Sequence, residues 1–210
     1  MYDLEEQEQI DALKSWWKQH SRRVMGVALG ALLAAGGVRV WQYYQQREAT
    51  AAGQLFESVR ETARSGDAAR TLTAAQRLER EQPDSAMAPR AGLIAAAVAR
   101  LKGQDEAALG QLTWVEGHAK EMTLVELAHL REAGILADQK HYDQALQRLS
   151  LNKEAEFAAL TQDLRGDILL AMGRIDDARS AYRMAAEKSQ PLGALHQLAQ
   201  TKEESLGGKL

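Results

Sequence analysis

The side chains that most often carry catalysis or bind metals are few and scattered in this chain of 210 residues. It has no cysteine, which excludes disulfides, thiolate zinc sites and cysteine nucleophiles. The histidines form no His-x-x-x-His pair of the kind that holds zinc on one helical face. They are His20, His118, His129, His141 and His196. The sequence therefore predicts neither a metal site nor a cofactor.

Two pairs of ionisable residues have spacings that could serve chemistry. Glu126 and His129 lie at i and i+3, which would place a carboxylate beside an imidazole on one helical face. The simpler interpretation is a solvated surface pair. Asp176 and Asp177 resemble a carboxylate dyad, but they fit better as acids at the N-terminus of a helix. With no Gly-x-Ser-x-Gly elbow, phosphate loop or nucleotide fingerprint, we predict that the protein is not an enzyme.

Helices are the elements that must position these residues. The chain is rich in alanine and leucine and has only three prolines, and β-branched residues are sparse after residue 50. No run of residues alternates apolar and polar side chains with β-branched enrichment, which is the pattern typical of a strand. The formal net charge of -3 gives no basic footprint for nucleic acid. We predict an all-α protein.

One uncharged apolar block, from Val24 to Val38, predicts a membrane anchor. Its fifteen residues form roughly 22 Å of helix, against a hydrocarbon core about 30 Å thick. If Arg39 snorkels and the helix continues to Tyr44, the span reaches roughly 31 Å. The predicted interface anchors are Trp16, Trp17, Arg39, Trp41 and Tyr44. Residues 24–44 are therefore predicted to be a transmembrane signal-anchor helix.

The charges that flank this block predict its orientation. Four basic residues precede it closely: Lys14, Lys18, Arg22 and Arg23. The positive-inside rule then predicts a cytoplasmic leader at 1–23 and a domain outside the cytoplasm from residue 45. A cleaved signal peptide is the alternative, because the small residues at 34–37 could form a cleavage site. The acidic residues of the leader and the aromatic anchors favour a retained helix.

Small residues within the block predict close packing against another helix. Gly26, Gly30 and Ala34 recur at every fourth position, which is the small-xxx-small pattern of membrane helix pairs.

The soluble part contains a repeated unit, clearest from Leu164 to Ala186. Its small and aromatic residues have the offsets of a tetratricopeptide repeat, in which two antiparallel helices meet at small side chains and a glycine ends the first helix. The predicted packing residues are Gly166, Leu169, Gly173, Ala178, Tyr182 and Ala185.

Weaker copies upstream extend the pattern to about four helix pairs. We expect pairs at 47–82, 86–117, 122–151 and 155–188, and a lone capping helix near 192–205. In the first pair, the second helix should run from about Ala68 to Glu81, after Gly66. Thr123 and Glu126 predict a capping box that opens the third pair. The domain is therefore predicted at 45–206, with a frayed tail at 207–210.

Two groups of residues resemble a known family. The first is the leader from Gln9 to Lys18, the glycine-bearing span, Trp41, Tyr44, Leu55 and Phe56. The second comprises Leu164 to Leu170 and Ala178 to Tyr182. In this order and at this chain length they resemble the YfgM family of proteobacterial inner-membrane proteins.

The resemblance implies an ancillary subunit of the SecYEG translocon, paired with the membrane-anchored prolyl isomerase PpiD, that helps exported polypeptides to reach periplasmic chaperones. It implies a single-pass protein of the bacterial inner membrane, with its C-terminal domain in the periplasm. The residues alone predict a membrane-anchored helical-repeat module that binds proteins. The alternative function is a structural scaffold of another envelope complex, for outer-membrane assembly or division.

Overall fold

The structure is a computed structural model that describes residues 2–191 and 193–207. In the first helix, the side chains at 2–9, 11–13, 22–24, 27–29, 31, 34 and 40–49 lie outside the description. The chain divides into two compact units, Met1–Thr50 and Ala51–Leu210. Of the predicted frayed tail at 207–210, only Gly207 is described.

The first unit is helical. Helix α1 has the bounds Tyr2–Arg64, so that its residues 51–64 belong to the second unit. Large apolar side chains of the first unit that are more than half exposed are Ile10, Met25, Leu32, Leu33 and Val38. Within the described residues, no helix combines the length and the apolar character needed to cross a membrane.

The second unit continues with eight further helices in its described part. They are α2 (Ala68–Glu81), α3 (Met87–Leu101), α4 (Asp105–His118), α5 (Met122–Asp138), α6 (Tyr142–Leu149), α7 (Ala158–Ala171), α8 (Ile175–Lys188) and α9 (Ala194–Ser205). A short 3-10 turn at Ala155–Phe157 precedes α7, and no strand occurs at 2–191 or 193–207. The bounds of α2 agree with those predicted from the sequence.

The helices stack in sequential order. Each helix from α2 to α8 packs on the next one along the chain, and α3 also contacts α5, α5 contacts α7, and α7 contacts α9. The odd-numbered helices from α3 onward therefore lie side by side in one layer, with the even-numbered helices behind them. This arrangement confirms the predicted all-helical, tetratricopeptide-like solenoid.

The same type of tight turn joins the two helices within each pair. At its centre the backbone adopts positive φ, at Gly66 (69°), Gly103 (71°), Lys140 (64°) and Gly173 (76°). After α7, Gly173 N–H donates to Leu170 C=O at 2.9 Å and Arg174 N–H donates to Leu169 C=O at 2.9 Å. This is the Schellman pattern, which satisfies carbonyls at a helix end and favours glycine at the left-handed position.

Small side chains bring the last helix pair together. Ala178 and Ala181 of α8 are buried against Leu169 of α7. A β-carbon added at Gly166 would lie only 2.5 Å from Cδ1 of Tyr182, so the tyrosine ring rests on the glycine backbone. Helix α9 packs on α8 through a buried cluster formed by Ala185, Ala186 and Ala199.

The predicted capping box at the start of α5 is wrong. Helix α5 begins at Met122, its N-cap is Glu121, and no side chain caps it. The carboxylate of Glu126 instead accepts the backbone N–H groups of Lys153 at 2.5 Å and Glu154 at 2.9 Å. The side chain of Glu126 therefore binds a segment 27 residues later in the chain, and does not cap its own helix as the local pattern predicts.

Candidate protein-binding groove

A cleft opens between α3 and α5, and we call it the α3/α5 cleft. Its volume is about 380 Å³, and its floor includes Leu112 of α4. The walls come from α3 and α5: Ala96, Ala97, Arg100, Leu101, Arg131, Gly134, Ile135 and Asp138. Leu101 at the end of α3 is 83% exposed, so that an apolar side chain at the cleft remains in water. Exposed apolar surface in a concave site is typical of protein-binding surfaces.

A second cleft lies one repeat further along, between α5 and α7, and we call it the α5/α7 cleft. Its volume is about 490 Å³, and its lining includes Tyr142, Leu164 and Asp167. Gly134 and Asp138 line both clefts. The space around the Cβ position of Gly134 is open, with nothing within 4 Å. The two clefts therefore adjoin at α5, beside Gly134, where that helix has no side chain, and we call them together the groove.

The two arginines of the α3/α5 cleft have different surroundings. Arg100 forms ion pairs with Asp105, at 2.6 Å, and with Asp138. Arg131 donates from Nη1 to the backbone carbonyl of Leu93 at 2.7 Å, and forms no ion pair with the side chains described. Burial lowers the pKa of the Arg131 guanidinium, with no opposing charge to offset it. Arg131 is thus a partly buried cation without a carboxylate partner in the described chain.

Two acidic side chains beside the α5/α7 cleft, Asp163 and Asp167, are paired with a lysine of α9. Nζ of Lys202, on α9, lies 2.9 Å from Asp163 Oδ1 and 2.8 Å from Asp167 Oδ1. The same ammonium group lies 5.2 Å from the ring centre of Tyr182, whose hydroxyl donates to Asp167 at 2.8 Å. Burial, and next the hydrogen bond to Asp167, raise the pKa of Tyr182 above its usual range. These contacts join α9 to α7 and α8 at the C-terminal end of the groove.

Behind α5 lies a cluster of polar side chains, and it corrects the interpretation of Glu126 and His129 as a solvated surface pair. The two residues are 1% and 5% exposed. His129 Nδ1 lies 3.1 Å from Asn152 Oδ1, and its Nε2 lies 3.2 Å from Glu116 Oε1. The amide of Asn152 donates to the backbone carbonyl of Glu126 and to Thr161. These contacts fix the 150–157 segment between α6 and α7, which is a structural role.

Arg148 of α6 completes this polar cluster. It forms ion pairs with Glu116 at 3.2 Å and with Glu132 at 3.0 Å. Burial raises the pKa of Glu132, and the charge of Glu116 acts in the same direction, although Arg148 opposes both. No group of three metal-ligating side chains in the described ranges is placed to hold a metal ion.

The residues predicted to act in the membrane belong to the first unit. Gly26 and Gly30 are exposed, with open space where a β-carbon would lie. Trp16, Trp17 and Arg39 are also exposed. The side chains of Ala34, Trp41 and Tyr44 lie outside the described residues. The packing and interface roles of these residues remain predictions.

The predicted repeat-packing residues all lie in the last helix pair. Leu169, Ala178, Tyr182 and Ala185 are buried, Gly166 faces the ring of Tyr182, and Gly173 forms the turn between α7 and α8. Asp176 and Asp177 lie in the first turn of α8, as expected for acids at a helix N-terminus.

Comparison with known proteins gives the family. The sequence model of the tetratricopeptide repeat-like domain matches residues 14–208. An ancillary SecYEG translocon subunit of Neisseria gonorrhoeae is 31% identical over 207 residues, which cover 97% of this chain and 98% of the relative. The chain belongs to the YfgM family of ancillary SecYEG translocon subunits. A relative with the same description, from Escherichia coli, is 29% identical over 96% of both chains.

A solved structure supports the fold. The MamA RS-1 ArsTM double mutant superposes with a TM-score of 0.55, covering 74% of this chain and 93% of that chain. The sequence identity is 19%, so the likeness concerns the helical-repeat architecture alone. The repeat unit of this YfgM-family chain is therefore supported by its sequence, by its helix order and by a solved structure.

Sequence interpretation did not identify the groove residues of this YfgM-family member. Gly134 gives a signal, because a glycine inside a helix costs stability relative to alanine and needs a reason. Arg131 gives none, because its neighbours along the chain do not reveal that Leu93 of another helix is its partner. The groove depends on contacts between repeats. A periodic pattern predicts that the repeats stack, but it does not predict which side chains meet between them.

Proposed function

We propose that this protein is a membrane-anchored periplasmic module that binds proteins, ancillary to the SecYEG translocon, and that it links exported polypeptides to periplasmic chaperones. The observation that carries the proposal is the match, over nearly the whole chain, to the ancillary SecYEG translocon subunit of Neisseria gonorrhoeae. The groove across α3, α5 and α7 supports a binding role, since solenoids of this kind offer extended concave surfaces. PpiD is the proposed membrane-anchored partner, by family resemblance.

The proposed anchor is residues 24–44. Its support is the uncharged block from Val24 to Val38 and the aromatic residues that flank it. The block alone is short for a bilayer, so the proposal requires Arg39 to snorkel and Trp41 and Tyr44 to lie at the interface. The basic residues before the block support a cytoplasmic N-terminus and a periplasmic repeat unit.

Topology is tested in cells. Protease added to spheroplasts should digest the repeats, and the intact protein should stay with the membrane through a carbonate wash. A matched control replaces Lys14, Lys18, Arg22 and Arg23 with glutamine, which should reduce the fraction of protease-sensitive chains. Recovery of a mature protein that begins near Arg39 would reject the anchor in favour of a cleaved signal peptide.

Partner choice is tested by purification in a gentle detergent, with SecY and PpiD quantified. Both should co-purify with the full-length protein. Replacing residues 24–44 with an unrelated span should weaken recovery without abolishing it, because two weak contacts within one membrane reinforce each other. If neither protein rises above background and an outer-membrane or division complex is enriched instead, the scaffold alternative replaces the translocon proposal.

A further inference from the structure

We propose that the α3/α5 cleft binds an extended segment of another polypeptide that presents a carboxylate to Arg131 and an apolar side chain beside Leu101. The inference rests on the proposed function of binding proteins, and it specifies the site and the chemistry of the segment. An acidic side chain next to apolar residues would supply both features.

The charge of Arg131 is the first support. Its guanidinium has five N–H donors, and one nitrogen is engaged, by the carbonyl of Leu93. A partly buried cation is costly unless an anion compensates it, and carboxylates bind guanidinium groups through paired, charge-assisted hydrogen bonds. Arg100, in the same cleft, already has Asp105 and Asp138. Among the side chains that the structure describes, the cleft therefore has one cation available, and an incoming carboxylate is its complement.

Apolar surface around that cation is the second support. Leu101 is 83% exposed at the edge of the cleft and Ala97 is partly exposed, whereas Ile135 and Leu112 lie buried beneath them. A segment that carried only charge would leave this surface in water. A segment with an apolar residue near its acid would cover Leu101 while its carboxylate reached Arg131.

Gly134 is the third support, and it indicates the path of the segment. It lies within α5, where glycine costs stability relative to alanine, and a β-carbon there would meet no atom within 4 Å. Packing in the described chain therefore does not require glycine at this position. Because Gly134 lines both clefts, its missing side chain leaves room for a bound backbone to cross from one cleft to the other.

The spacing of the helices indicates which side chains of the bound segment contact the two clefts. Packed helices lie about 8–10 Å apart, and an extended polyproline-II chain advances about 9 Å in three residues. Side chains at i and i+3 of the segment would then reach successive clefts. An acid next to the first apolar residue would lie close to Arg131.

The test uses two fluorescein-labelled peptides, capped at both ends. The acidic peptide is Gly-Ser-Gly-Leu-Glu-Ser-Leu-Gly-Ser-Gly, and in its partner glutamine replaces glutamate. Fluorescence anisotropy with the full-length protein in mild detergent should give an affinity about tenfold higher for the acidic peptide, the size expected of one charge-assisted contact. Equal affinity for the two peptides overturns the proposal, since apolar contacts alone, without recognition of the carboxylate, would then account for binding.

Variants locate the contact. Arg131→Met keeps an apolar stem and should remove the difference between the two peptides, whereas Arg165→Met, at an exposed arginine of α7, should leave it unchanged. Gly134→Gln should weaken binding of both peptides by at least about fivefold. Gly110→Gln is its control, because Gly110 is also helical and open but lies in α4 outside both clefts. Loss of the charge preference in Arg165→Met, or full binding by Gly134→Gln, contradicts the assignment.

A chemical measurement keeps the test valid even if Arg131→Met does not fold. Because the natural chain has no cysteine, Ala97→Cys introduces a single thiol into the α3/α5 cleft. An acidic peptide that carries a bromoacetyl group should alkylate this thiol at least about fivefold faster than the thiol of Arg165→Cys, after correction for a small bromoacetyl reagent. Equal corrected rates overturn the proposed site. If the corrected rates are equal but SecY co-purifies, the cleft proposal fails and the translocon proposal stands. If the acidic peptide binds at the cleft but SecY does not co-purify, the translocon proposal fails and the cleft proposal stands.

Discussion

The ring of Tyr182 rests on the backbone of Gly166, at the crossing of α7 and α8. A β-carbon at position 166 would lie 2.5 Å from Cδ1 and 3.0 Å from Cζ of that ring. The ring cannot withdraw easily, because its hydroxyl donates to Asp167 and the side chain is fully buried. The close approach of these two helices therefore depends on the absence of a side chain at 166.

Gly166→Ala should consequently destabilise the repeat unit. The added methyl group must displace a buried ring, and overpacking of this kind costs about 1–3 kcal/mol. Urea denaturation of the full-length protein in mild detergent, followed by circular dichroism, measures the change. Gly110→Ala in α4 is the control, since nothing surrounds that position and alanine should stabilise the helix. A rise in stability for Gly166→Ala would show that the two helices can separate without cost.

Lys140→Gly should stabilise the protein. Lys140 is at φ 64°, the one described residue other than glycine with positive φ, in the turn that glycine occupies in the other three pairs. A β-carbon in this conformation costs about 1 kcal/mol, which glycine avoids. Lys140→Ala should give no such gain, because it removes the charge and keeps the β-carbon. Conversely, Gly173→Ala should lose about 1 kcal/mol. Thermal melts of the three variants test the ordering.

This turn also shows what the sequence predicts well. Gly66, Gly103 and Gly173 mark helix ends because their backbone conformation is a local property, and the small residues between them recur at repeat spacing. The helix pairs could therefore be placed from the sequence to within a few residues. Lys140 lies 33 residues before Gly173, which is the repeat spacing, although a lysine gives no turn signal of its own.

The polar cluster behind α5 shows where prediction from the sequence fails. Glu126 and His129 look like surface residues because both are polar and lie three residues apart on a helix. Their partners, Asn152 and Lys153, come from a segment more than 20 residues later and carry no pattern. Burial of a polar side chain depends on such distant partners, and the groove at Gly134 depends on the neighbouring repeats in the same way.

Glu126→Ala should be among the most damaging substitutions. It removes the acceptor of two backbone N–H groups, those of Lys153 and Glu154, in a site that is 1% exposed. Leaving partly buried donors without acceptors costs up to about 1–3 kcal/mol for each. Glu126→Gln keeps a carbonyl oxygen in place and should lose less. Hydrogen exchange should show the early loss of protection at 150–157 in Glu126→Ala. Equal losses for the two variants would contradict the role of the acceptor.

Glu79→Gln should change how stability depends on pH. Glu79 is 8% exposed, and burial raises its pKa from the ordinary value of 4.5, against smaller effects of Gln111, His118 and Arg80. A carboxyl group with a raised pKa in the folded state favours folding when protonated, so its contribution is lost as pH rises from 4.5 through the folded pKa. The variant should therefore be more stable than the natural protein at pH 7.5, and the difference should shrink toward pH 4. A difference that is constant with pH would contradict this account.

Lys202→Met should loosen the C-terminal helix before the rest of the repeat unit. Lys202 neutralises Asp163 and Asp167 and lies over the ring of Tyr182, so that it joins α9 to both helices of the last pair. Burial lowers the pKa of Lys202, but the hydrogen bonds and charges of Asp167 and Asp163 together outweigh it and raise the pKa, as expected for a strongly engaged ammonium group.

Since its side chain is 25% exposed, we expect Lys202→Met to lose about 1–2 kcal/mol, less than for a fully buried pair. Hydrogen exchange should show amides of α9 losing protection first. Lys188→Met, at an exposed position of α8, should leave both stability and exchange unchanged. Adding Asp163→Asn to Lys202→Met should cost less than the sum of the two single losses, because each removes the same ion pair. Additive losses would mean that Lys202 and Asp163 act independently, and would contradict a stabilising ion pair between them.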